Sequence, residues 1–314
     1  MSERFFTIDE QFDYLTKNKN IICNEDDKLR LIREGYFNVI TGYKYPFILC
    51  KNPTGEIVYE EGTSLNHFLC LKDFDDSLRI LLLEYLVKVE QEVRTLAAYK
   101  FDISNKNGQI TWREIEAYDQ RNKKDKQITH FISKCFNEII RNENYDIQVY
   151  LKRHEDIPTW AFMSGLTFNT FIQCLDFAKP LVIDTLCGVY GLRDEKNHYN
   201  YDFLKAVLNL FRKVRNICAH NEKAYCFKIN GTRLDDKLFS IIDNSNYLIQ
   251  KDQRLMDIFV HLKYFLDNSE YKRFIYNLKD LLLDLKKQIS ELAFANVLKE
   301  MGIYRIEDLD TLVD

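Results

Sequence analysis

Ten glycines and four prolines are all that 314 residues carry. That is near 3% and 1%, against typical usage of roughly 7% and 5%. Sandwiches and barrels need turn residues every few positions, and collagen-like or low-complexity chains need more of them still. With 46% hydrophobic and 14% aromatic residues, the chain is also too apolar for disorder. The expectation is an all-α fold with at most one small β-hairpin, long enough to bury a real core.

Apolar spacing places the helices. Thr7-Ile8-Asp9-Glu10 reads as a capping box, with Ile8, Phe12 and Leu15 on one face. Asn24 caps a second helix, with Leu29 and Ile32 facing inward and Gly35 just past its end. An aromatic stretch from Gly35 to Phe47 follows, then a polar loop over 51–62. Leu78, Leu82, Leu86, Val89 and Val93 repeat at helical spacing within a long helix from about Asp75 to Lys100. Asp119 to Lys126 reads as a charged turn and Ile128 to Ile140 as an amphipathic helix. Pro158-Thr159-Trp160 opens an apolar segment reaching Gly191. A strong helix runs from Asp202 to His220, with Phe203, Val207, Leu210 and Val214 inward. Phe227 to Leu234 is the expected hairpin, because Asn230-Gly231 suits a type I′ turn. Three or four further helices follow Arg254, up to an acidic tail.

Charge and cysteine narrow the setting. The formal net charge of −4 gives no global basic surface for nucleic acid. From Arg212 to Lys228, however, five Lys/Arg residues face one acid, Glu222, a local charge of +4. The eight cysteines form no C-x-x-C pair, so free thiols are expected in a reducing cytoplasm. Cys218, His220 and Cys226 lack paired zinc spacing, and no metal or cofactor is expected. Met1 to Glu10 lacks the layout of a signal peptide. Ile80 to Val89, interrupted by Glu84 and Lys88, is too short to span a bilayer, and no membrane partner is expected.

The basic segment holds the candidate chemistry. Arg215, Asn216 and His220 supply a permanent cation, an amide and an imidazole within six residues. Asn216 and His220 share a helix face, whereas Arg215 and His220 are about 140° apart around the axis. The latter two converge only if the helix ends near His220, or if two copies meet. Asn221 suits the left-handed position that ends a helix. An imidazole titrates at roughly pH 6.5, as acid–base catalysis requires, and a guanidinium matches phosphate oxygens. Such parts suit metal-free RNA cleavage; a surface ion pair and a helix-terminal cap explain the spacing equally simply.

The segment Arg-Asn-x-x-x-His resembles the R-x4-6-H signature of HEPN ribonucleases. Four ordered blocks resemble the Abi-like abortive infection proteins of the AbiD/AbiF type. They run from Lys28-Leu29 through Gly35-Tyr36-Phe37 to Thr41-Gly42-Tyr43-Lys44-Tyr45-Pro46-Phe47, then Phe74-Asp75 through Leu78-Arg79 with Glu90 and Arg94. Pro158-Thr159-Trp160 with Phe168, and Arg212 through Asn221, complete them. The family pattern has an acidic residue where Ser164 stands and Gly where Asn169 stands; if the acid supports the site, Ser164 weakens or retunes it.

The resemblance implies a HEPN-type helical bundle; residues 1–230 are read as that domain, and 231–314, which lie outside the resemblance, as a C-terminal helical extension packed on it. It implies an RNA endonuclease of anti-phage abortive infection, a toxin leaving 2′,3′-cyclic phosphate and 5′-OH ends. Arg215 and His220 would be catalytic, with Asn216 positioning a phosphate or the imidazole. Arg212, Lys213, Lys223 and Arg94 would contact RNA, and Glu90 and Asn221 would support the site. Glu90 and Arg94 also read as an ordinary i,i+4 pair, which is the preferred account. Arg79, behind Asp75 and Asp76, carries the same ambiguity. Tyr36, Tyr43, Tyr45 and Phe47 could stack bases but read more naturally as core. His154 is a weak candidate beside an RNA path, and the remaining histidines stand alone. One copy supplies a single motif histidine, so a homodimer with a composite cleft is expected. A module holding a small non-coding RNA and a helical interaction scaffold are the alternatives.

Overall fold

The computed structural model describes residues 5–121, 125–153, 157–230, 247 and 252–313. Among the described residues the architecture is helical, with one two-stranded antiparallel sheet. The chain divides into two compact units, and each draws on separated stretches of sequence. The first unit takes Met1–Leu82, Ile217–Val260 and Asn268–Asp314, and the second Leu83–Asn216 and His261–Asp267. The expected boundary at residue 230 is therefore not a boundary between units. The C-terminal helices belong to the same unit as the N-terminal 82 residues.

In the first unit, Thr7 and Glu10 close the expected capping box of α1 (Ile8–Asp13): Thr7 N donates to Glu10 Oε2 at 2.8 Å. Helix α2 (Glu25–Glu34) stops at Gly35, whose φ of 84° favours a residue without Cβ. Its inward face differs from the expectation: Leu31 is buried, while Leu29 and Ile32 are exposed. Apolar residues lie on more than one side of this short helix, so spacing alone does not select the buried one.

The small sheet lies where a polar loop was expected. Strands β1 (Ile48–Lys51) and β2 (Ile57–Tyr59) pair antiparallel across a turn organised by Asn52. Its side-chain oxygen accepts from Thr54 N at 3.1 Å and Glu56 N at 2.7 Å, and Gly55 supplies a φ of 84°. Of the hairpin expected over 227–234, residues 231–234 lie outside the described residues. Ile229 instead makes an isolated antiparallel bridge with Gln253.

Helix α3 (Leu65–Ser104) contributes its first 18 residues to the first unit and the rest to the second. The predicted stripe of Leu78, Leu82, Leu86, Val89 and Val93 is buried throughout. Helix α11 (Asn268–Lys286) buries Phe274, Ile275, Leu278 and Leu282, and α12 (Glu291–Met301) packs on the turn Tyr45–Phe47. Asn296 Nδ2 donates to the Pro46 carbonyl at 2.8 Å.

The second unit contains α4 (Asp125–Ile140), α6 (Thr159–Gly165), α7 (Phe168–Leu175), α8 (Pro180–Val189) and most of α9 (Tyr201–Ala219). Trp112 stacks on Phe162 at 4.1 Å, and its indole N–H donates to the Ile157 carbonyl at 3.0 Å. All eight cysteines are free, and four of them are buried. No helix among the described residues is long and apolar enough to cross a membrane.

Candidate functional site

Helix α9 is positioned by its apolar face: Leu204, Val207, Leu208, Leu210, Phe211 and Val214 are all buried. Phe211 meets Phe265 edge-on at 5.3 Å. The helix stops at Ala219, one residue before His220. Asn221 takes the left-handed conformation with φ of 59°. Its N–H donates to the Cys218 carbonyl at 3.4 Å, and that of Glu222 to the Ile217 carbonyl at 3.0 Å. This is the Schellman arrangement, which satisfies the last carbonyls and leaves His220 as the C-cap residue.

Arg215 and Asn216 belong to the second unit. Arg215 Nε lies 3.3 Å from Glu90 Oε2, and Arg215 Nη1 donates to Asn216 Oδ1 at 3.3 Å. The other oxygen of Glu90 accepts from Arg94 Nη2 at 2.7 Å. Arg94 also donates to the Met163 carbonyl and lies over the rings of Phe168 and Phe171, at 5.5 and 5.0 Å from their centroids. Burial lowers its pKa, Glu90 opposes that shift, and the positive charge of Arg215 reinforces it. The Glu90 carboxylate thus stands between two guanidiniums, and Glu138 also acts on Arg94 through its charge.

This geometry corrects the assignment of Arg94 as an RNA contact. Its side chain is 7% exposed and committed to Glu90 and Met163, so it acts as an internal strut. Arg215 is 34% exposed and retains an open side. Arg212 is half-buried and Lys213 exposed, and neither forms an ion pair among the described residues. Ser164 is exposed and donates back to the Trp160 carbonyl at 2.8 Å, and Asn169 is also exposed. His154 lies outside the described residues.

His220 belongs to the first unit, where it is exposed and makes no hydrogen bond or ion pair among the described residues. The chain immediately after it is tightly held. Asp75, fully buried on α3, accepts from Tyr225 N at 2.7 Å, Ala224 N at 3.1 Å and Tyr43 Oη at 2.9 Å. Arg79 Nη1 donates to the same carboxylate at 2.7 Å, and Arg79 Nη2 donates to Asn221 Oδ1 at 2.6 Å. Burial pushes the Asp75 carboxyl above the usual range, against the pull of these donors. Lys223 Nζ donates to the Gly42 carbonyl at 3.1 Å, and Tyr43 stacks on Tyr225 at 5.9 Å.

The role of Asp75 escapes a reading by motif. Its i,i+4 relation to Arg79 is the only local signal, and its main partners lie about 150 residues away. Tyr43 and Phe47 are buried, as the core reading expects, whereas Tyr45 is exposed. Cys218 is buried too, and burial pushes its thiol up to about 12. No cluster of His, Cys, Asp and Glu able to hold a metal occurs among the described residues.

Comparison with known proteins adds one finding. A family model described as Abi-like protein matches residues 30–226, more than half of the chain. The matched span includes Tyr43, Asp75, Arg79, Glu90, Arg94, Arg215 and His220. No curated protein and no solved structure gives a match.

Proposed function

The chain belongs to the Abi-like protein family, and from that membership we propose that it serves abortive infection defence as an RNA endonuclease. The observation that carries this reading is the end of α9 at Ala219, which leaves His220 exposed five residues after an Arg215 steadied by Glu90. The fold is then of the HEPN type and of the AbiD/AbiF branch.

In the proposed reaction the imidazole of His220 takes the proton of a ribose 2′-OH. The oxygen attacks the adjacent phosphorus, and negative charge builds on the pentacoordinate phosphorane. Arg215 faces that charge with a guanidinium whose direction Glu90 limits, so little reorganisation is needed. The bond from phosphorus to O5′ breaks, and O5′ takes a proton from a second acid. The products are a 2′,3′-cyclic phosphate and a 5′-OH end. Two copies would supply both the base and the acid as His220, which is why a homodimer is proposed. Arg212, Lys213 and Lys223 would hold flanking phosphates. A reducing, cytoplasmic setting suits the free thiols.

Incubating the purified protein with total cellular RNA in EDTA, followed by end analysis, tests this reading. Cyclic phosphate ends that disappear with His220→Ala and Arg215→Ala are the expected result. Full activity after His220→Ala, or activity lost in EDTA, would sink it. RNA that co-purifies intact and stays uncut would identify a binding module instead.

A further inference from the structure

A cavity of about 440 Å³ begins one residue past His220 in the first unit. Asn221, Glu222 and Lys223 form one wall, and Phe37, Asn38 and Thr41 form another. Phe37 is 74% exposed, an unusual state for a phenyl ring at the edge of a polar cavity. The segment that carries it, Phe37–Thr41, is a π-helical turn, a costly geometry that recurs at functional sites.

The lining combines three kinds of group that suit a nucleotide with one carboxylate, Glu222, that does not. Phe37 offers a flat apolar face. Asn38 spends its Nδ2 on the Glu34 carbonyl at 2.9 Å and keeps its carboxamide oxygen unpartnered among the described residues, as is the hydroxyl of Thr41. Of the three cations that line the cavity, Lys72 is paired with Glu34 and Asp76, and Arg79 with Asp75 and Asp76. Lys223 donates only to the Gly42 carbonyl and has no carboxylate partner among the described residues. A stacking face, polar groups beside it and a cation at the rim are the parts that read an unstacked nucleotide.

We propose that this cavity is a nucleobase pocket, taking the base next to the phosphate on which His220 acts. The base stacks on Phe37, its edge meets Asn38 and Thr41, and its phosphate meets Lys223. The identification of the guest as part of the substrate rests on the RNA-cleavage reading; the pocket itself does not. Because a paired base cannot leave its stack cheaply, the pocket also makes the protein select unpaired positions and favour some bases there.

The test measures binding of the four ribonucleoside 3′-monophosphates to the full-length protein, and maps cleavage ends in a single-stranded oligoribonucleotide pool. At least one mononucleotide should bind the wild type. Phe37→Ala should weaken it roughly 5- to 150-fold, the span that loss of one base–aromatic stack gives. Phe37→Tyr should restore the stack, and Phe37→Ala should flatten the base preference at the cut. An exposed ring leaves little core to disturb, and the melting temperature of each variant checks this. No mononucleotide binding, or binding and preference unchanged by Phe37→Ala, overturns the pocket. Phe37-dependent binding by a wild type that cuts no RNA keeps the pocket and overturns the cleavage reading.

Discussion

At the scale of single residues, Glu90 and Asn221 bear the most weight. Glu90 is the only carboxylate paired with Arg94 and Arg215 among the described residues. Glu90→Gln removes that charge and leaves Arg94 buried without its hydrogen-bonded carboxylate partner. The expected loss is about 3 kcal/mol, read from the urea unfolding midpoint. Cleavage should fall further than stability predicts, because Arg215 also loses its guide. Asn221 poses a different question, since its left-handed backbone and its bond to Arg79 act together. Asn221→Ala should be less stable than Asn221→Gly by about 1 kcal/mol, because only the alanine adds backbone strain. Asp75 predicts a pH effect. Its folded pKa is raised, so above the ordinary value near 4 the native state binds more protons than the unfolded one. Its contribution to stability therefore falls as pH rises through that window. The change of unfolding midpoint with pH across the window should be more positive in Asp75→Asn than in wild type. The residues of the motif were legible in the sequence, and so was the Glu90–Arg94 spacing. The burial of Arg94 was not, because the rings that cover it come from α7, some 75 residues downstream.

At the scale of elements, legibility tracks how local the cause is. The capping box of α1, the stripe of α3 and the stop of α9 just before Asn221 all follow from neighbours within a few residues. The β1–β2 hairpin does not announce itself by alternation. A single side chain, Asn52, stitches its turn, and its strands are only four and three residues long. The inward side of α2 likewise depends on what covers Leu31 rather than on spacing. Packing between elements offers its own test at the end of α6. A Cβ on Gly165 would stand 2.7 Å from Ile139 Cδ1 and 3.3 Å from Ile147 Cδ1. Gly165→Ala should thus destabilise by about 1 kcal/mol, the low end for overpacking, since Ile139 can partly yield. A thermal melt checks this, and an unchanged or higher midpoint would contradict it.

At the scale of the whole molecule, the charge pattern is the lesson. A net charge of −4 hides a +4 segment, and pairing rather than composition determines which cations remain available. If two copies combine their His220 residues, stoichiometry gives a measurable consequence. Mixing equal amounts of wild type and His220→Ala, with free subunit exchange, leaves about a quarter of the dimers with both histidines. Cleavage should then fall to about a quarter, whereas independent copies would retain about a half. The attachment of the turn after His220 to Asp75 and Tyr43 has one more consequence, and it concerns the order of synthesis. Both residues leave the ribosome long before their late partners: Asp75 awaits the Ala224 and Tyr225 amides, and Tyr43 the Tyr225 ring. The Pro46 carbonyl waits longer still, for Asn296 near the far end of the chain. For a protein proposed to injure the cell that makes it, the anchor of the reactive turn is thus already made when His220 is added, and only residues 224 and 225 must follow before the turn can close on it.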